Sequence, residues 1–150
     1  MTSKERKALA YSYLGRTVNI RIDRSPGSAH PKHPELIYPV NYGYIPGVKG
    51  GDGEELDVYL LGVDIPVKEY KARVIGAILR HNDSEDKLIA APEGMSFTKE
   101  EAEKAVRFRA VLLRTVFRNT VYLERGMPYF VFVFTNAVLV RKIDKSHMNI

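Results

Sequence analysis

The sequence predicts an α+β domain that is mainly β, with one long helix packed against its strands. Short apolar and β-branched runs recur between residues 17 and 92, and glycine and proline occur in most of the segments that separate them. Apolar residues at helical spacing follow only after residue 98. With 150 residues the chain is long enough for one hydrophobic core and too short for two ordinary domains, so we expect a single domain over residues 1–150.

Four segments carry the strand signals. Residues 17–23, TVNIRID, alternate apolar and polar side chains with a period of two, which is typical of a strand with one buried face. The runs LDVYLLGV, ARVIGAIL and DKLIAAP are mostly apolar and indicate buried strands. Turn or loop chemistry separates these runs in SPGSAHPKHP, IPGVKGGDG, VDIP and PEG.

The long helix is predicted after Thr98. The Thr98 side chain is placed to cap the first backbone amides, and Glu101 three residues later completes a capping box. Apolar residues then recur at helical spacing as far as Phe117. We therefore expect one helix from this cap to Phe117, with its apolar face against the strands.

The longest apolar stretch is MPYFVFVFTNAVLV, residues 127–140. It is shorter than the roughly 20 residues that a membrane-spanning helix needs, and Pro128, Thr135 and Asn136 interrupt it. Its aromatic and β-branched content favours strand, with a hairpin turning near Thr135 and Asn136 as one arrangement. Residues 119–150 are thus expected to form a strand-rich C-terminal extension, buried in the sheet or in a subunit contact.

Charge and cysteine content limit the function classes. Lysine and arginine total 23 against 18 acids, a net charge of +5 that suits an anionic partner such as a phosphate compound, a nucleic acid or a membrane surface. The chain lacks cysteine, which excludes disulfides and thiolate zinc ligands. Its opening, MTSKERKALAYSYLG, has no secretory apolar core. We expect a cytoplasmic protein with no membrane partner, whose residues 1–16 form a basic, solvated N-terminal extension.

An acidic loop precedes the second strand run. Four acids fall among the six residues from Asp52 to Asp57, and like charges this close oppose folding unless a positive group compensates them. A divalent cation such as Mg²⁺ is the economical compensator, because it takes carboxylate and phosphate oxygens as ligands. Neighbouring glycines would let the loop fold back and aim Asp52, Glu54 and Asp57 at one centre. The alternative interpretation is a solvated acidic turn.

Two further segments favour a metal site. Upstream, YPVNYGYIPG crowds Tyr38, Tyr42 and Tyr44 together, and downstream HNDSEDKL brings more acids beside Lys87. Acid clusters next to separate strand ends can converge on one pocket. Alternatively, the tyrosines are core aromatic residues whose hydroxyl groups are exposed to solvent.

YPVNYGYIPG, DGEELDV and NDSEDKLIAAP, in that order, resemble the soluble magnesium-dependent inorganic pyrophosphatases over about residues 17 to 118. DGEELDV matches the family's signature at every position except the third. The resemblance implies a five-stranded, OB-like barrel with flanking helices. It also implies hydrolysis of pyrophosphate to two phosphates by a metal-activated water, in a homo-oligomer with Mg²⁺ as cofactor and Mn²⁺ as a possible substitute.

Carried over by position, the resemblance implies three groups of site residues. The catalytic group comprises Glu54, in the place of the general base, and Tyr42. The metal-binding carboxylates come from two loops: Asp52, Asp57, Asp83 and Glu85, with Asp86 as a substitute for Glu85. Side chains that hold the substrate phosphates are Tyr38, Lys87 and Arg118. Charge neutralisation on the far side of the substrate adds Arg24 and Lys32 as candidate cations.

The chain departs from the family pattern in two places. Glu54 replaces the usual aspartate and is longer by one methylene, and a misplacement of about 1 Å can cost on the order of 100-fold in rate. The family's early hairpin, which carries further active-site residues, is largely missing, and GSAHPKHP occupies its place. His30, Lys32 and His33 would either substitute as phosphate contacts or form a proline-stiffened surface loop.

Two other functions stay open. The same site would serve a pyrophosphatase-like hydrolase of another phosphoanhydride, or an inactive relative that binds without turnover. A nucleic-acid-binding OB module would use a basic groove and stacking aromatics. Acids lie among the tyrosines, however, and would repel a phosphate backbone, so we expect no nucleic-acid partner.

Overall fold

The computed structural model describes residues 2–51, 53–80, 86–106, 115–117 and 130–136. Strands outnumber helices along these ranges. In chain order the elements are α1 (Ser3–Tyr13), β1 (Thr17–Arg24), β2 (Asn41–Lys49), β3 (Glu55–Leu60), β4 (Glu69–Arg80), β5 (Lys87–Ala91), α2 (Lys99–Val106), β6 (Thr115–Phe117) and β7 (Phe130–Asn136).

The first five strands close into a barrel. They pair in the order β1-β2-β3-β5-β4, and β4 pairs back to β1. All of these pairings are antiparallel except β3 with β5. Strand β7 then runs parallel to the end of β4, and β6 pairs antiparallel with β7. The structure confirms the predicted mainly-β fold and its five-stranded barrel.

Two hydrophobic clusters lie on opposite faces of the barrel wall. The interior cluster is aliphatic and includes Ile20, Val58, Leu60, Val74, Leu88 and Ala90. The outer cluster is richer in aromatic residues, lies against α2, and includes Tyr38, Tyr42, Tyr59, Ile89, Ala102 and Val106. Successive side chains of a strand point to opposite faces. The barrel strands therefore present one set of residues to the core and another to the layer beneath α2.

Strands β1 and β2 approach most tightly at Gly43. A Cβ atom there would meet the carbonyl group of Arg21 and the Cα atom of Ile22, and Ile22 is the residue paired with Gly43 across the two strands. These are backbone atoms, so no side-chain rotation would relieve the contact. Barrel closure on this side therefore depends on glycine at this position.

Strand β2 continues past Tyr44, where the sequence predicted a loop. Its register with β3 shifts between Tyr44 and Lys49. Within this irregular stretch Gly47 has a φ of 81°, and its N–H donates to Glu55 Oε2 at 2.8 Å. The irregularity lets the strand accommodate Pro46 and a left-handed residue, which the loop prediction had treated as strand breakers.

Helix α2 begins as predicted and is shorter than predicted. Thr98 Oγ1 accepts a hydrogen bond from the Glu101 N–H at 3.1 Å, and Glu101 Oε1 accepts one from the Thr98 N–H at 3.2 Å. The capping box is thus confirmed. Residues 115–117 belong to β6, so a helix through Phe117 is wrong at that end. Their β-branched and aromatic side chains favour the strand pairing with β7.

The N-terminal segment forms helix α1, so the expectation of a solvated extension is wrong. Thr2 Oγ1 accepts a hydrogen bond from the Glu5 N–H at 3.1 Å, and Glu5 Oε2 accepts one from the Thr2 N–H at 3.3 Å. Ala10 is buried in the interior cluster of the barrel. The motif T-x-x-E at residues 2–5 was a sequence signal for this helix start.

Strand β7 confirms the strand expected within residues 127–140, but not the turn. Thr135 pairs with Val116 and Asn136 with Thr115, so both residues continue the strand. Residues 119–129 and 137–150 of the expected extension lie outside the described ranges. Among the helices that are described, none is long and apolar enough to cross a membrane.

Candidate active site

Three neighbouring strands bring Tyr42, Asp57 and Lys87 together on the outer face of the barrel. Strands β3 and β5 run parallel with Asp57 opposite Lys87. In the antiparallel pair of β2 and β3, Tyr42 lies opposite Tyr59, two residues from Asp57 and on the same face. Neighbouring strands are about 4.8 Å apart, so these side chains are within reach of one another.

The three side chains form a bonded triangle. The Tyr42 hydroxyl donates to Asp57 Oδ2 at 2.7 Å and accepts from Lys87 Nζ at 2.7 Å. Lys87 Nζ also donates to Asp57 Oδ2 at 2.9 Å. The Lys87 ammonium lies 5.2 Å from the centroid of the Tyr42 ring, in the range of a cation–π contact. Each member therefore orients the other two.

The charges in the triangle are unevenly exposed. The Lys87 side chain is 2% exposed, whereas that of Asp57 is 25% exposed. A buried ammonium needs an anion and hydrogen-bond acceptors to offset its desolvation, and Asp57 and Tyr42 supply them. Both hydrogen bonds to Asp57 fall on Oδ2, and no residue that the structure describes donates to Oδ1. That oxygen remains available to a ligand.

Asp23 on β1 adds an acid that the sequence reasoning missed. Burial raises the pKa of the Asp23 carboxyl above its usual range; the Arg24 charge opposes this rise, and the charges of Asp57 and Glu55 add to it. The last two effects mean that three carboxylates act on one another across β1 and β3. Alternation along IRIDR, which turns Ile20 and Ile22 inward and Asp23 outward, was the signal that could have found it.

The Asp57 carboxylate is the kind of ligand that a hard divalent cation takes. Carboxylate oxygens are the ligands that Mg²⁺ prefers, with water and phosphate oxygens completing its octahedron. Within the described ranges, no three histidine, aspartate or glutamate side chains lie close enough together to hold an ion. The predicted ligands Asp52, Asp83 and Glu85 all lie outside those ranges.

Glu54 is exposed in the glycine-rich turn that leads into β3. The Gly50 N–H donates to the Glu54 carbonyl at 2.7 Å, and the Gly53 N–H donates to the Gly50 carbonyl at 3.2 Å. Gly53 has a φ of 83°, which favours glycine. The backbone of the turn thus folds back on itself just before β3, while the expected convergence of Asp52, Glu54 and Asp57 stays a prediction because Asp52 lies outside the described ranges.

The predicted substrate-binding residues have different surroundings. Tyr38 is buried, and its ring centroid lies 5.3 Å from that of Tyr42. Arg24 is paired with Tyr42 across β1 and β2. Lys32 is exposed on the loop between these strands. Arg118 lies outside the described ranges.

Asp86 lies in a buried ion pair that the sequence did not indicate. Arg6 Nε is 3.0 Å from Asp86 Oδ2, with the two side chains 10% and 2% exposed. The contact is ionic and lacks the alignment of a hydrogen bond. Asp86 directly precedes Lys87, so helix α1 is attached to the start of the strand that carries the lysine. No local pattern reveals a partner so distant in the chain.

A cavity of about 770 Å³ lies elsewhere, between the end of α1 and strands β1, β2 and β4. Its lining includes Tyr13, Arg16, Arg21, Tyr70 and Lys71, and none of the triangle residues. The bonded triangle, rather than this cavity, identifies the candidate active site.

Comparison with known proteins gives the family. The model of the inorganic pyrophosphatase family matches residues 8–125. An inorganic pyrophosphatase of Saccharolobus solfataricus is 36% identical over 88 residues, covering 56% of this chain and 48% of that protein. One of Caulobacter vibrioides is 29% identical over 85 residues, covering 52% of this chain and 48% of that protein. The chain thus spans about half the length of these curated relatives.

A solved structure agrees with the fold. The crystal structure of an inorganic pyrophosphatase from Neisseria gonorrhoeae matches with a TM-score of 0.53 and 21% identity, over 63% of this chain and 72% of that one. At this identity the likeness supports the barrel fold alone. The family match covers most of the sequence, from α1 to beyond β6. The chain therefore belongs to the inorganic pyrophosphatase family.

Proposed function

We propose that the protein hydrolyses inorganic pyrophosphate to two phosphates and that it requires a divalent metal ion, with Mg²⁺ as the preferred ion. The observation that carries this proposal is the triangle of Tyr42, Asp57 and Lys87, in a chain of the inorganic pyrophosphatase family. The triangle combines a carboxylate that has one open oxygen with a buried ammonium. A polyanionic substrate and its counter-ion need both groups.

The metal would be held first by Asp57 through Oδ1, because Oδ2 is engaged by Tyr42 and Lys87. Asp52, Asp83 and Glu85 are the proposed further ligands. Asp86 would bind the metal in place of Glu85 only if its ion pair with Arg6 were broken. A divalent ion bound there would lower the pKa of a water nucleophile and offset the negative charge of pyrophosphate. Mn²⁺, which also takes oxygen ligands, would replace Mg²⁺.

The chain's own residues would orient the substrate and move the proton. Lys87 brings a positive charge to the site and keeps the Tyr42 hydroxyl directed at Asp57. Glu54, exposed at the entrance to β3, is the proposed general base. Its side chain is one methylene longer than that of aspartate, and it lies in a turn just before the strand pairing of β3 begins.

The phosphate groups would be contacted by residues around the triangle. Tyr38 borders Tyr42 within the outer cluster. Arg24 is paired with Tyr42 from β1, and Lys32 and Arg118 are proposed to add further positive charge. Arginine suits this role because its guanidinium can donate two parallel hydrogen bonds to a phosphate.

We expect the protein to act as a homo-oligomer in the cytoplasm, on pyrophosphate or a related phosphoanhydride, without a nucleic-acid partner. The coupled carboxylates Asp23, Glu55 and Asp57 support the last expectation. They would repel a nucleic-acid backbone, which is bound mainly through its phosphates.

The direct test is phosphate release from a panel of anhydrides. Pyrophosphate, tripolyphosphate and ATP are each incubated with the protein in Mg²⁺, in Mn²⁺ and in EDTA. We expect release from pyrophosphate in either metal and none in EDTA. Faster phosphate release from ATP or tripolyphosphate than from pyrophosphate would identify that compound as the preferred substrate instead. Absence of release from every compound, together with salt-sensitive oligonucleotide binding in EDTA, would favour the nucleic-acid-binding alternative.

A further inference from the structure

The cavity of about 770 Å³ beside α1 lies where strands β1 and β2 separate. Strand β1 pairs with β4 from Thr17 to Arg21 and with β2 from Arg21 to Arg24. Beyond Tyr44 the register of β2 shifts, and Pro46, which lines the cavity, has no N–H to donate to a strand partner. On the side away from β4, the first half of β1 therefore faces the cavity.

One side of the cavity lining is apolar. Val18, Ile20 and Ile45 line it and belong to the buried interior cluster of the barrel. Tyr13 and Tyr70 also line it, half-buried and packed against the same cluster. The volume falls in the range of roughly 300–1,000 Å³ that is typical of small-molecule sites. A flat aromatic group of a ligand would be desolvated against this apolar side.

The other side of the lining is exposed and positively charged. Arg16, Arg21 and Lys71 contribute three cations, and Glu69 is the acid among the described lining residues. Arg21 Nη2 lies 3.7 Å from Glu69 Oε1, so these two charges offset each other. In the part of the chain that the structure describes, no acid forms an ion pair with Arg16 or Lys71. This cationic side therefore suits an anion.

The position of Arg16 is set before any ligand binds. Its carbonyl accepts the Val74 N–H at 2.8 Å, and the Gly15 N–H donates to the Val74 carbonyl at 2.8 Å. The guanidinium carbon of Arg16 lies 4.4 Å from the centroid of the Tyr13 ring, in the range of a cation–π contact. Stacking leaves the N–H groups at the edge of the guanidinium, where two of them can donate to one phosphate.

Lys71 and Asn19 add a second cation and an amide. They lie opposite each other across β4 and β1, so their side chains share one face of the sheet. Both are exposed and line the cavity. The amide of asparagine both donates and accepts hydrogen bonds, as does the edge of a nucleobase.

We propose that this cavity binds a nucleoside monophosphate, at a site separate from the candidate active site. Arg16 and Lys71 would bind the phosphate, and the base would lie against the apolar side beside Tyr70, with Asn19 at its edge. Inorganic phosphate would leave the apolar side unused, and a neutral nucleoside would leave the two cations unpaired. The triangle residues do not line the cavity, so this binding requires neither a metal ion nor pyrophosphate.

Calorimetry in EDTA tests the class of ligand. The probes are AMP, GMP, CMP and UMP, which contain no phosphoanhydride bond, together with the matching nucleosides and ribose 5-phosphate. We expect at least one nucleotide to bind with a Kd below about 1 mM. Its nucleoside and ribose 5-phosphate should each bind at least about tenfold more weakly, because each lacks one of the two groups that the cavity contacts. Absence of binding by all four nucleotides, or equal affinity for either fragment, would overturn the proposal.

Variants of the lining test the location. Arg16→Met and Lys71→Met each remove an exposed charge and should weaken nucleotide binding about tenfold, while the circular dichroism spectrum stays that of the wild type. Tyr70→Leu removes the ring and should have a similar effect. Lys68→Met is the matched control, because Lys68 is exposed three residues before Lys71 and does not line the cavity. Unchanged affinity in the three cavity variants, or equal weakening in Lys68→Met, would contradict the assignment.

Two measurements separate this cavity from the candidate active site. Lys87→Met removes the ammonium of the triangle and should bind the nucleotide as the wild type does. Imidodiphosphate with Mg²⁺, added to the wild type, should leave nucleotide affinity unchanged. Weaker binding in folded Lys87→Met, or displacement by imidodiphosphate, would move the nucleotide to the triangle and overturn the proposal. Neither result depends on turnover, so a protein that released no phosphate from pyrophosphate would still decide the question.

Discussion

The two faces of the barrel wall have different compositions and different tasks. The interior cluster is aliphatic, and Val58, Leu60 and Leu88 in it are fully buried. The outer cluster includes three buried tyrosines, and the charged residues of the candidate site lie on the same face. Both faces belong to the same strands. Leu56 and Asp57 are consecutive residues of β3, yet Leu56 lies in the core and Asp57 lies in the candidate active site.

This difference shows that the alternation of side chains along a strand determines which residues stabilise the core and which residues form the candidate active site. Strand β5 is buried along its whole length, yet Leu88 faces the aliphatic interior while Lys87 faces Asp57. Changes on the interior face should lower the free energy of unfolding and leave turnover alone. Changes to the charged residues of the outer face should lower turnover strongly and the free energy of unfolding less.

The largest expected effect is on closure of the barrel. Gly43→Ala would press a methyl group against the backbone of β1, which we expect to lower the free energy of unfolding by about 3 kcal/mol or more. Gly94→Ala is the control, since no atom lies within 4 Å of the added Cβ and only the left-handed φ of 80° opposes it. It should cost roughly 1 kcal/mol. Urea unfolding measures both, and equal losses would contradict the close approach of β1 and β2.

The next comparison sets one residue from each face side by side. Leu60→Ala in the interior should lower the free energy of unfolding by about 2–5 kcal/mol and leave kcat within about twofold. Lys87→Met on the outer face should reduce phosphate release roughly 100-fold, because it removes a fixed positive charge from the site. Its effect on unfolding should be smaller than that of Leu60→Ala, since Asp57 is partly exposed and can be solvated.

Urea unfolding and phosphate release, measured on both variants, decide whether the two faces are separable. Loss of turnover in folded Leu60→Ala would show that the interior also tunes the site. Full turnover in Lys87→Met would remove the lysine from the candidate catalytic group.

The smallest expected effect concerns Asp23. Burial, together with the charges of Asp57 and Glu55, raises the pKa of this carboxyl, so the folded protein binds its proton more tightly than the unfolded chain does. Stability of the metal-free protein should therefore fall as the pH rises from about 4, the ordinary aspartate value, through the raised value. Asp23→Asn should remove this contribution and raise the Tm at pH 7 by about 1–2 °C.

Thermal unfolding in EDTA between pH 4 and pH 8 measures this effect. Glu69→Gln is the matched control, because Glu69 is an exposed acid whose partner is Arg21 on the same strand as Asp23. A lower Tm for Asp23→Asn at pH 7 would contradict the repulsion among the carboxylates.

Much of the barrel could be predicted because its strands follow local rules. The alternation in TVNIRID and the short apolar runs of β3, β4 and β5 each have a period or a length and composition that favours a strand. The Thr98 capping box likewise depends on residues three apart. Strand β2 was not among the predicted strand runs. Its first half was noted only for its tyrosines, and Pro46 and Gly47 in its second half are ordinarily turn residues, which the register shift against β3 accommodates.

The site could be predicted only in part, for a related reason. The motifs singled out Tyr42, Asp57 and Lys87 as candidates, but the contacts among them depend on the parallel register of β3 and β5, which no local pattern specifies. Asp23 interacts with Asp57 across strands, and Arg6 reaches Asp86 from α1. Such long-range pairs are set by topology, and they were the part that sequence reasoning did not find.

The most direct test of the outer-face site is phosphate release from pyrophosphate across a range of Mg²⁺ concentrations, for the wild type and Asp57→Asn. Asparagine keeps the shape of the side chain and removes the charge that would hold the metal. We expect release to fall at least roughly 100-fold at every Mg²⁺ concentration, while the circular dichroism spectrum stays that of the folded wild type. Wild-type turnover with wild-type Mg²⁺ dependence in Asp57→Asn would contradict the account.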